Sequence, residues 1–238
     1  EKQFDKAYLI NDLVAMACGV PYLEDKDVEV LQSGLQVKEG RISVVAAGTG
    51  LGQAFLIPTG SEKYYAVDSE GGHADFAPRN KLEAELLFFL QKKITRVSVE
   101  RVVSGPGVIH IFEFVKEHLY SGVSEDWQKG LQDEELVAEI IRCAVEKKSE
   151  ICEKTLSLFV ELYGALAGNL ALQFLTKGGV YLGGGIVPRI LPLLEQGSFM
   201  QAFLEKGRFK SFLTEVPVKV ILNDRSALLG AAQYAFTH

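Results

Sequence analysis

The placement of glycine constrains this sequence more than any other feature. The chain has 238 residues and 23 glycines, and many of the glycines stand in clusters between segments with strand-like and helix-like patterns. Glycine lets a backbone bend sharply or approach a ligand closely. The clusters lie at residues 48–52, 71–72, 105–107, 178–179 and 183–185. They therefore predict tight junctions that double as candidate binding loops.

The pattern of apolar residues predicts an α/β protein. Predicted strands cover residues 7–10, 42–48, 52–59, 63–68, 179–182 and 218–222. Predicted helices cover residues 12–18, 80–94, 107–120, 133–147, 149–176 and 226–236, with further helical segments from 188 to 213. Because residues 70–178 are mostly helical, we expect a helical insertion in an α/β frame.

Charge and cysteine content exclude several classes of protein. The 25 basic and 31 acidic side chains give a net charge of -6, which argues against generic binding to nucleic acid or anionic membranes. No apolar run reaches the roughly 18 residues of a membrane span. Cys18, Cys143 and Cys152 are too few and too far apart for a closed disulfide framework or a cysteine-ligated zinc site. We expect reduced thiols in a cytosolic protein.

Two glycine turns are candidate phosphate or nucleotide sites. Residues 45–52 read as strand, glycine turn and strand, where Gly48, Thr49 and Gly50 could direct several donors at one anion. A plain β-hairpin explains the same residues. Residues 178–189 read as a buried strand, a turn at Gly183, Gly184 and Gly185, and a helix, where a ligand could lie flat. Close packing of the helix on the strand is the alternative.

Polar side chains near these turns are candidates for catalysis and polyol binding. Asp12 follows the apolar pair Leu9-Ile10 at the start of a helix, and helix capping by Asn11 or Asp12 is the alternative to a chemical role. Glu70 and His73 flank two glycines, which suits polyol binding but also a solvated polar turn. Glu100 is a candidate of the same kind, or a surface carboxylate.

Together these segments resemble the bacterial-type glucokinase family, within the superfamily of sugar kinases, actin and heat-shock ATPases. The resemblance covers nearly the whole chain. Its segments, in chain order, are residues 9–13, 48–52, 70–78, 100–107, 168–172, 179–189 and 206–209.

The resemblance implies a ribonuclease H-like (actin-like ATPase) fold of two α/β domains with a cleft between them. Residues 1–24 and 224–238 would belong to the small domain, and residues 25–223 would form the large one. The family's first phosphate motif, Asp-x-Gly-Gly-Thr, does not occur in this sequence, so we expect the family's N-terminal segment to precede Glu1. The zinc-binding cysteine cluster of the repressor-type sugar kinases does not occur either.

The resemblance also implies a role for each candidate residue. Asp12 is the implied catalytic base, and the implied sugar-binding set is Asn11, Asp12, Glu70, His73 and Glu100. The implied nucleotide-binding residues are Gly48, Thr49, Gly50, Gly183, Gly184 and Gly185. The family transfers the γ-phosphoryl group of ATP to the 6-hydroxyl of glucose, with Mg²⁺ entering on ATP and no dedicated protein ligands. A cytoplasmic homodimer is the family expectation.

Two alternatives stay open at the level of sequence. The chain could be a non-catalytic, sugar-binding regulator on the same fold, although such a protein needs no base at Asp12. It could also phosphorylate another hexose or use another donor such as polyphosphate.

Overall fold

A six-stranded sheet forms the centre of the molecule. The structure is a computed structural model that describes residues 7–35, 37–121, 126–128 and 130–237. The strands are β1 (Val28–Gln32), β2 (Ile42–Ala47), β3 (Leu51–Gly60), β4 (Lys63–Ser69), β5 (Gly179–Gly183) and β6 (Val218–Ile221), in the order β1-β6-β5-β2-β3-β4. Strands β2, β5 and β6 are parallel, whereas β1, β3 and β4 pair antiparallel with their neighbours. The α/β class predicted from the sequence is confirmed.

Most of the helices lie between β4 and β5 or between β5 and β6 in the chain. They are α1 (Asp12–Gly19), α2 (Lys81–Gln91), α3 (Gly105–Phe114), α4 (Asp133–Val145), α5 (Glu150–Phe174), α6 (Leu191–Leu194), α7 (Ser198–Leu204), α8 (Lys210–Thr214) and α9 (Ser226–Thr237). A π-helical turn, Val115–Leu119, continues α3.

Short polar side chains fix where several helices begin. The side chains of Asn80, Ser104 and Ser149 accept hydrogen bonds from first-turn amides of α2, α3 and α5. These bonds satisfy amides that have no partner within the helix. Helix α5 ends where Leu175 adopts a left-handed conformation, with a φ of 52°.

The sheet lies between two helical layers. Every residue of β2 is buried, and alternate side chains point to opposite faces. Val45 and Ala47 pack in the core formed with α3, α4, α5 and α7. Ile42 and Val44 pack in a second core with α1. Helix α9 packs on α1, on the side away from the larger core.

Helix α5 is the central helix of the larger core. By length and composition it is apolar enough to cross a membrane, but 78% of its most apolar stretch is buried inside the protein. The Tyr163 hydroxyl donates a 3.0 Å hydrogen bond to the Val45 carbonyl of β2. Burial raises the pKa of Tyr163 far above its ordinary value. These contacts are those of a core helix in a folded domain.

Two details of the predicted secondary structure are corrected. Residues 7–10 are not a strand, because no described strand pairs with them, and Tyr8 and Leu9 are exposed. Their aromatic and branched side chains favour extended backbone, but a strand also needs a hydrogen-bonded neighbour. Conversely, β1 was not predicted from the sequence, and it pairs with β6 near the other end of the chain.

The three cysteines differ in exposure. Cys143 and Cys152 are buried in α4 and α5, whereas Cys18 on α1 is half-buried. Burial raises the pKa of the Cys18 thiol.

Candidate functional site

The turn between β2 and β3 is the point at which the predicted site residues meet. Residues Gly48–Gly50 form this turn, and the Gly48 amide closes it with a 2.9 Å hydrogen bond to the Gly50 carbonyl. The Gly48 carbonyl accepts a 2.7 Å hydrogen bond from the Gly105 amide at the start of α3. The segment is therefore a β-hairpin, which was one of the two interpretations. Its turn is also hydrogen-bonded to the start of α3.

Glu100 ties this turn to the predicted sugar-binding residues. Its Oε2 accepts a 3.0 Å hydrogen bond from the Leu51 amide. Its Oε1 lies 3.8 Å from Nδ1 of His73, whose Nε2 lies 3.7 Å from Oε2 of Glu70. Both separations exceed hydrogen-bond length, so the three side chains keep donors and acceptors for a ligand. The structure brings Glu70, His73 and Glu100 into one cluster, called the sugar cluster below.

The exposure of the sugar cluster suits a ligand site at the surface. The side chains of Glu70 and His73 are 87% and 59% exposed, whereas that of Glu100 is 24% exposed. Glu100 is therefore not the surface carboxylate that its alternative interpretation described. It lies in a short 3-10 helix, Val99–Arg101, that precedes α3.

A tight loop presents Glu70 and His73. Residues Gly71–His73 form a 3-10 turn, closed by a 2.9 Å hydrogen bond from the His73 amide to the Glu70 carbonyl. Arg96 holds this loop by donating to the His73 carbonyl and, at 2.8 Å, to Oδ1 of Asp75. Arg96 was missed from the sequence, because a single arginine in a loop carries no spacing signal.

Asn11 and Asp12 have different roles at the start of α1. The Oδ1 atom of Asn11 accepts hydrogen bonds from the amides of Leu13, at 2.8 Å, and Val14, at 3.4 Å, so Asn11 caps the helix. Asp12 is the first helical residue, is exposed, and accepts a 2.9 Å bond from the next amide. The capping explanation thus belongs to Asn11, and the Asp12 carboxylate is open to solvent.

Close packing places α1 beside the β2–β3 turn. Leu13 sits so tightly against Gly52 that any side chain at position 52 would collide with it. On the same helix, Met16 packs against Gly183 at the end of β5. Asp12, adjacent to Leu13, is therefore on the helix end that abuts the turn.

The second glycine turn lies next to the first. Gly184 has a φ of +92°, and a β-carbon there would collide with the Ala47 carbonyl at the end of β2. The Ile186 amide donates a 3.3 Å hydrogen bond to that same carbonyl. These contacts fix residues Gly183–Gly185 beside Gly48, so the two predicted turns form one surface.

A groove of about 480 Å³ runs between the two turns. Gly48, Thr49 and Gly185 line one side, and Pro106 and Arg189 line others. A β-carbon at position 185 would meet no atom within 4 Å, so the backbone faces open space there. The groove thus exposes glycine backbone from both turns. Among the described ranges, no group of His, Cys, Asp or Glu side chains is arranged to hold a metal ion.

Comparisons with known proteins show the family of this chain. The family model described as Glucokinase matches residues 1–238. The glucokinase of Nostoc punctiforme is 47% identical over 238 residues, covering 94% of this chain and 70% of that protein.

Two solved structures share the fold. The crystal structure of glucokinase from an Antarctic psychrotroph matches with a TM-score of 0.84 and 34% identity, covering 96% of this chain and 68% of that one. A ROK-family glucokinase from Streptomyces griseus, solved with glucose and AMPPNP, matches with a TM-score of 0.66 and 17% identity. That alignment covers 96% of this chain and 67% of the other, and at this identity it shows the fold alone.

Proposed function

The chain belongs to the glucokinase family, and from this premise we propose that it transfers the γ-phosphoryl group of ATP to the 6-hydroxyl of glucose. The main support for the proposal is that the β2–β3 turn contacts both the sugar cluster and the groove. One side of this turn is bonded to Glu100 of the sugar cluster, and the other side borders the groove. A phosphoryl donor and a hydroxyl acceptor bound at these places would meet over residues 48–52.

Asp12 is the proposed general base. Its carboxylate would accept the proton of the sugar hydroxyl as the bond from oxygen to phosphorus forms. Phosphoryl transfer depends mainly on positioning and charge stabilisation, so a base held at the end of a packed helix is what the reaction needs. Because Asn11 supplies the cap, α1 does not depend on Asp12 as its capping residue.

The sugar cluster is the proposed glucose site, together with Asn11 and Asp12. Carboxylates suit hydroxyl recognition because each one accepts several hydrogen bonds. His73 can donate or accept at either ring nitrogen, depending on its tautomer. A sugar that lacks a hydroxyl would leave these groups unpaired, which disfavours its binding.

The groove is the proposed ATP site. The turns at Gly48–Gly50 and Gly183–Gly185 are free of large side chains, and backbone amides with the Thr49 hydroxyl are suitable donors to phosphate oxygens. Mg²⁺ supplies charge neutralisation on the phosphates when ATP is bound. We assign it no protein ligand.

The wider setting follows from the same premise. We propose that residues 1–24 with 224–238 belong to a small domain and residues 25–223 to a large one. The contact of α1 with α9 supports grouping the two ends. The sugar and nucleotide sites would then lie in an interdomain cleft, in a cytoplasmic homodimer.

The test is a coupled assay for glucose 6-phosphate on the full-length protein. We expect turnover with ATP and glucose, with less turnover for mannose, galactose or polyphosphate. Glucose binding without turnover for any donor would favour the sugar-binding regulator. Turnover that prefers another hexose would change the substrate.

A further inference from the structure

Residues from three segments of the family resemblance, none of them assigned to the proposed site, line one cavity. The cavity measures about 280 Å³. Its walls include residues 75–78, Asn169 from α5 and Lys206 after α7. Val99 also lines the cavity, and Glu100 follows it in sequence, so the cavity lies behind the sugar cluster.

Most charges around this cavity are compensated. Glu83 is fully buried, and Arg79 donates to it from its backbone amide at 2.7 Å and from Nε at 3.1 Å. Asp75 is exposed and accepts from Arg96 at 2.8 Å. The carboxylates of the lining therefore already have guanidinium partners.

Lys206 is the exception. Its alkyl chain packs on α5, where a β-carbon at Gly168 would lie 2.9 Å from Cε. Its ammonium group has neither a hydrogen bond nor an ion pair with any residue in the described part of the chain. Glu205, its neighbour in sequence, is 71% exposed and lies 3.8 Å from Nη1 of Arg79 instead.

Of the two lining cations, Arg79 is paired with Glu83, so only Lys206 lacks an ion pair within the described residues. Arg79 and Lys206 are positive and Glu83 is negative, whereas water screens the exposed Asp75 and Glu205. Burial, followed by repulsion from Arg79, lowers the pKa of Lys206, and Glu205 and Glu83 oppose this shift. An anion in the cavity would give the half-buried ammonium group of Lys206 the ion-pair partner that it lacks.

We propose that this cavity is an anion site for a small molecule that carries a phosphate group. Lys206 would form the ion pair, and the exposed side-chain amide of Asn169 would donate a hydrogen bond. The cavity of about 280 Å³ lies just below the range of about 300–1,000 Å³ for ligand pockets, which favours a ligand of few atoms beyond the phosphate. The site stands independently of the proposed kinase function.

The experiment is calorimetric titration with inorganic phosphate in the presence of saturating AMPPNP and Mg²⁺, which keeps phosphate off the glycine turns. We expect one phosphate per chain. Lys206→Met keeps the packing on Gly168 but removes the charge, and should weaken phosphate binding at least about tenfold. Lys206→Arg should stay within about threefold of the wild type, because it keeps the charge.

Lys177→Met, at an exposed lysine, is the matched control and should bind phosphate like the wild type. Equal phosphate affinity in Lys206→Met and the wild type, or an equal loss in Lys177→Met, would overturn the proposal. If Lys206→Met does not fold, Asn169→Leu replaces it, with an expected loss of about fivefold for one hydrogen bond. Unchanged affinity in Asn169→Leu would then count against the site. Kinase turnover, measured separately, is expected to persist in Lys206→Met, so the two proposals fail independently.

Discussion

Two adjacent polar residues at the start of α1 have separable roles. Asn11 accepts the first-turn amide hydrogen bonds, while Asp12 is exposed and needed by no helical amide beyond its neighbour. A substitution at Asp12 therefore changes chemistry with little effect on the helix. If one residue were both the cap and the base, a substitution would change helix stability and chemistry together.

Asp12→Asn should reduce kcat by about 10²–10⁴-fold, because an amide cannot take the proton from the sugar hydroxyl. The glucose Kd should change by less than about tenfold, or about 1.4 kcal/mol, since the shape and a hydrogen-bonding oxygen remain. The melting temperature should not move. Rates, glucose titration and thermal unfolding on one preparation check all three.

Asp25→Asn, at another exposed aspartate in the first turn of a short helix, serves as the control for the loss of one negative charge. It should leave kcat unchanged. An Asp12→Asn variant that keeps more than about a tenth of the wild-type kcat would remove Asp12 from the role of base, because it falls short of the usual effect.

At the scale of secondary-structure elements, strand β2 determines the conformation of the second glycine turn. At Gly184 two constraints coincide, since the backbone is left-handed and the Ala47 carbonyl occupies the space of a side chain. The conformation of this turn is thus imposed by β2, the strand that also leads into the first turn.

Gly184→Ala should destabilise the fold by about 1–3 kcal/mol from backbone strain alone, with a further loss from the collision with Ala47. It should also weaken AMPPNP binding, with little effect on glucose binding. Denaturant unfolding and titration with each ligand measure these effects.

Gly197→Ala is a matched control. Gly197 has a φ of +96°, but a β-carbon there meets no atom within 4 Å. Gly197→Ala should destabilise the fold through backbone strain but leave the affinity for AMPPNP unchanged. Equal effects of the two substitutions on AMPPNP would show that the turn at Gly184 does not shape the groove.

Elements with a strong local pattern were predictable from the sequence, and those that depend on distant partners were not. The strand pair β2 and β3 and the long helix α5 agree with the predicted segments to within two residues at each end. The wrong strand at residues 7–10 and the missed strand β1 share one cause. Whether a short segment joins a sheet depends on a neighbour that its own residues do not specify.

The candidate site follows the same division. Glycine composition and the family segments indicated both turns and the three side chains of the sugar cluster. Two contacts could not be predicted, because they join residues that are distant in the sequence. They are the hydrogen bond from the Leu51 amide to Glu100 and the bond from Arg96 to the His73 carbonyl. Sequence therefore indicated the members of the site but not the bonds that connect them.

At the scale of the whole molecule, the shared turn should couple the two ligand sites. Glu100 belongs to the sugar cluster, and its bond to the Leu51 amide reaches the turn that borders the groove. A ligand that orders Glu100 would therefore also order the turn.

We expect saturating glucose to tighten AMPPNP binding by about 5–150-fold, the usual range of coupling between sites. AMPPNP must tighten glucose binding by the same factor, because coupling of binding free energies is reciprocal. Calorimetric titration of each ligand, with and without the other, measures the coupling factor twice. Two different values would show that the binding model is incomplete.

Glu100→Ala should reduce this factor toward one, beyond its direct effect on glucose affinity. Glu117→Ala, at an exposed glutamate of the π-helical turn, should preserve the factor. If the coupling persists unchanged in Glu100→Ala, the connection between the sites does not pass through the Leu51 amide.

The unequal exposure of the cysteines gives the natural sequence a built-in attachment point for a reporter dye. Cys143 and Cys152 are buried, so a maleimide probe should modify Cys18 selectively in the folded protein. The raised pKa of Cys18 keeps its thiolate fraction small near neutral pH, so labelling should accelerate as the pH increases. Because Cys18 lies on the same helix as Asp12 and lines a groove beside Tyr22 and Tyr64, the fluorescence of such a dye would follow α1 as ligands bind, without any engineered residue.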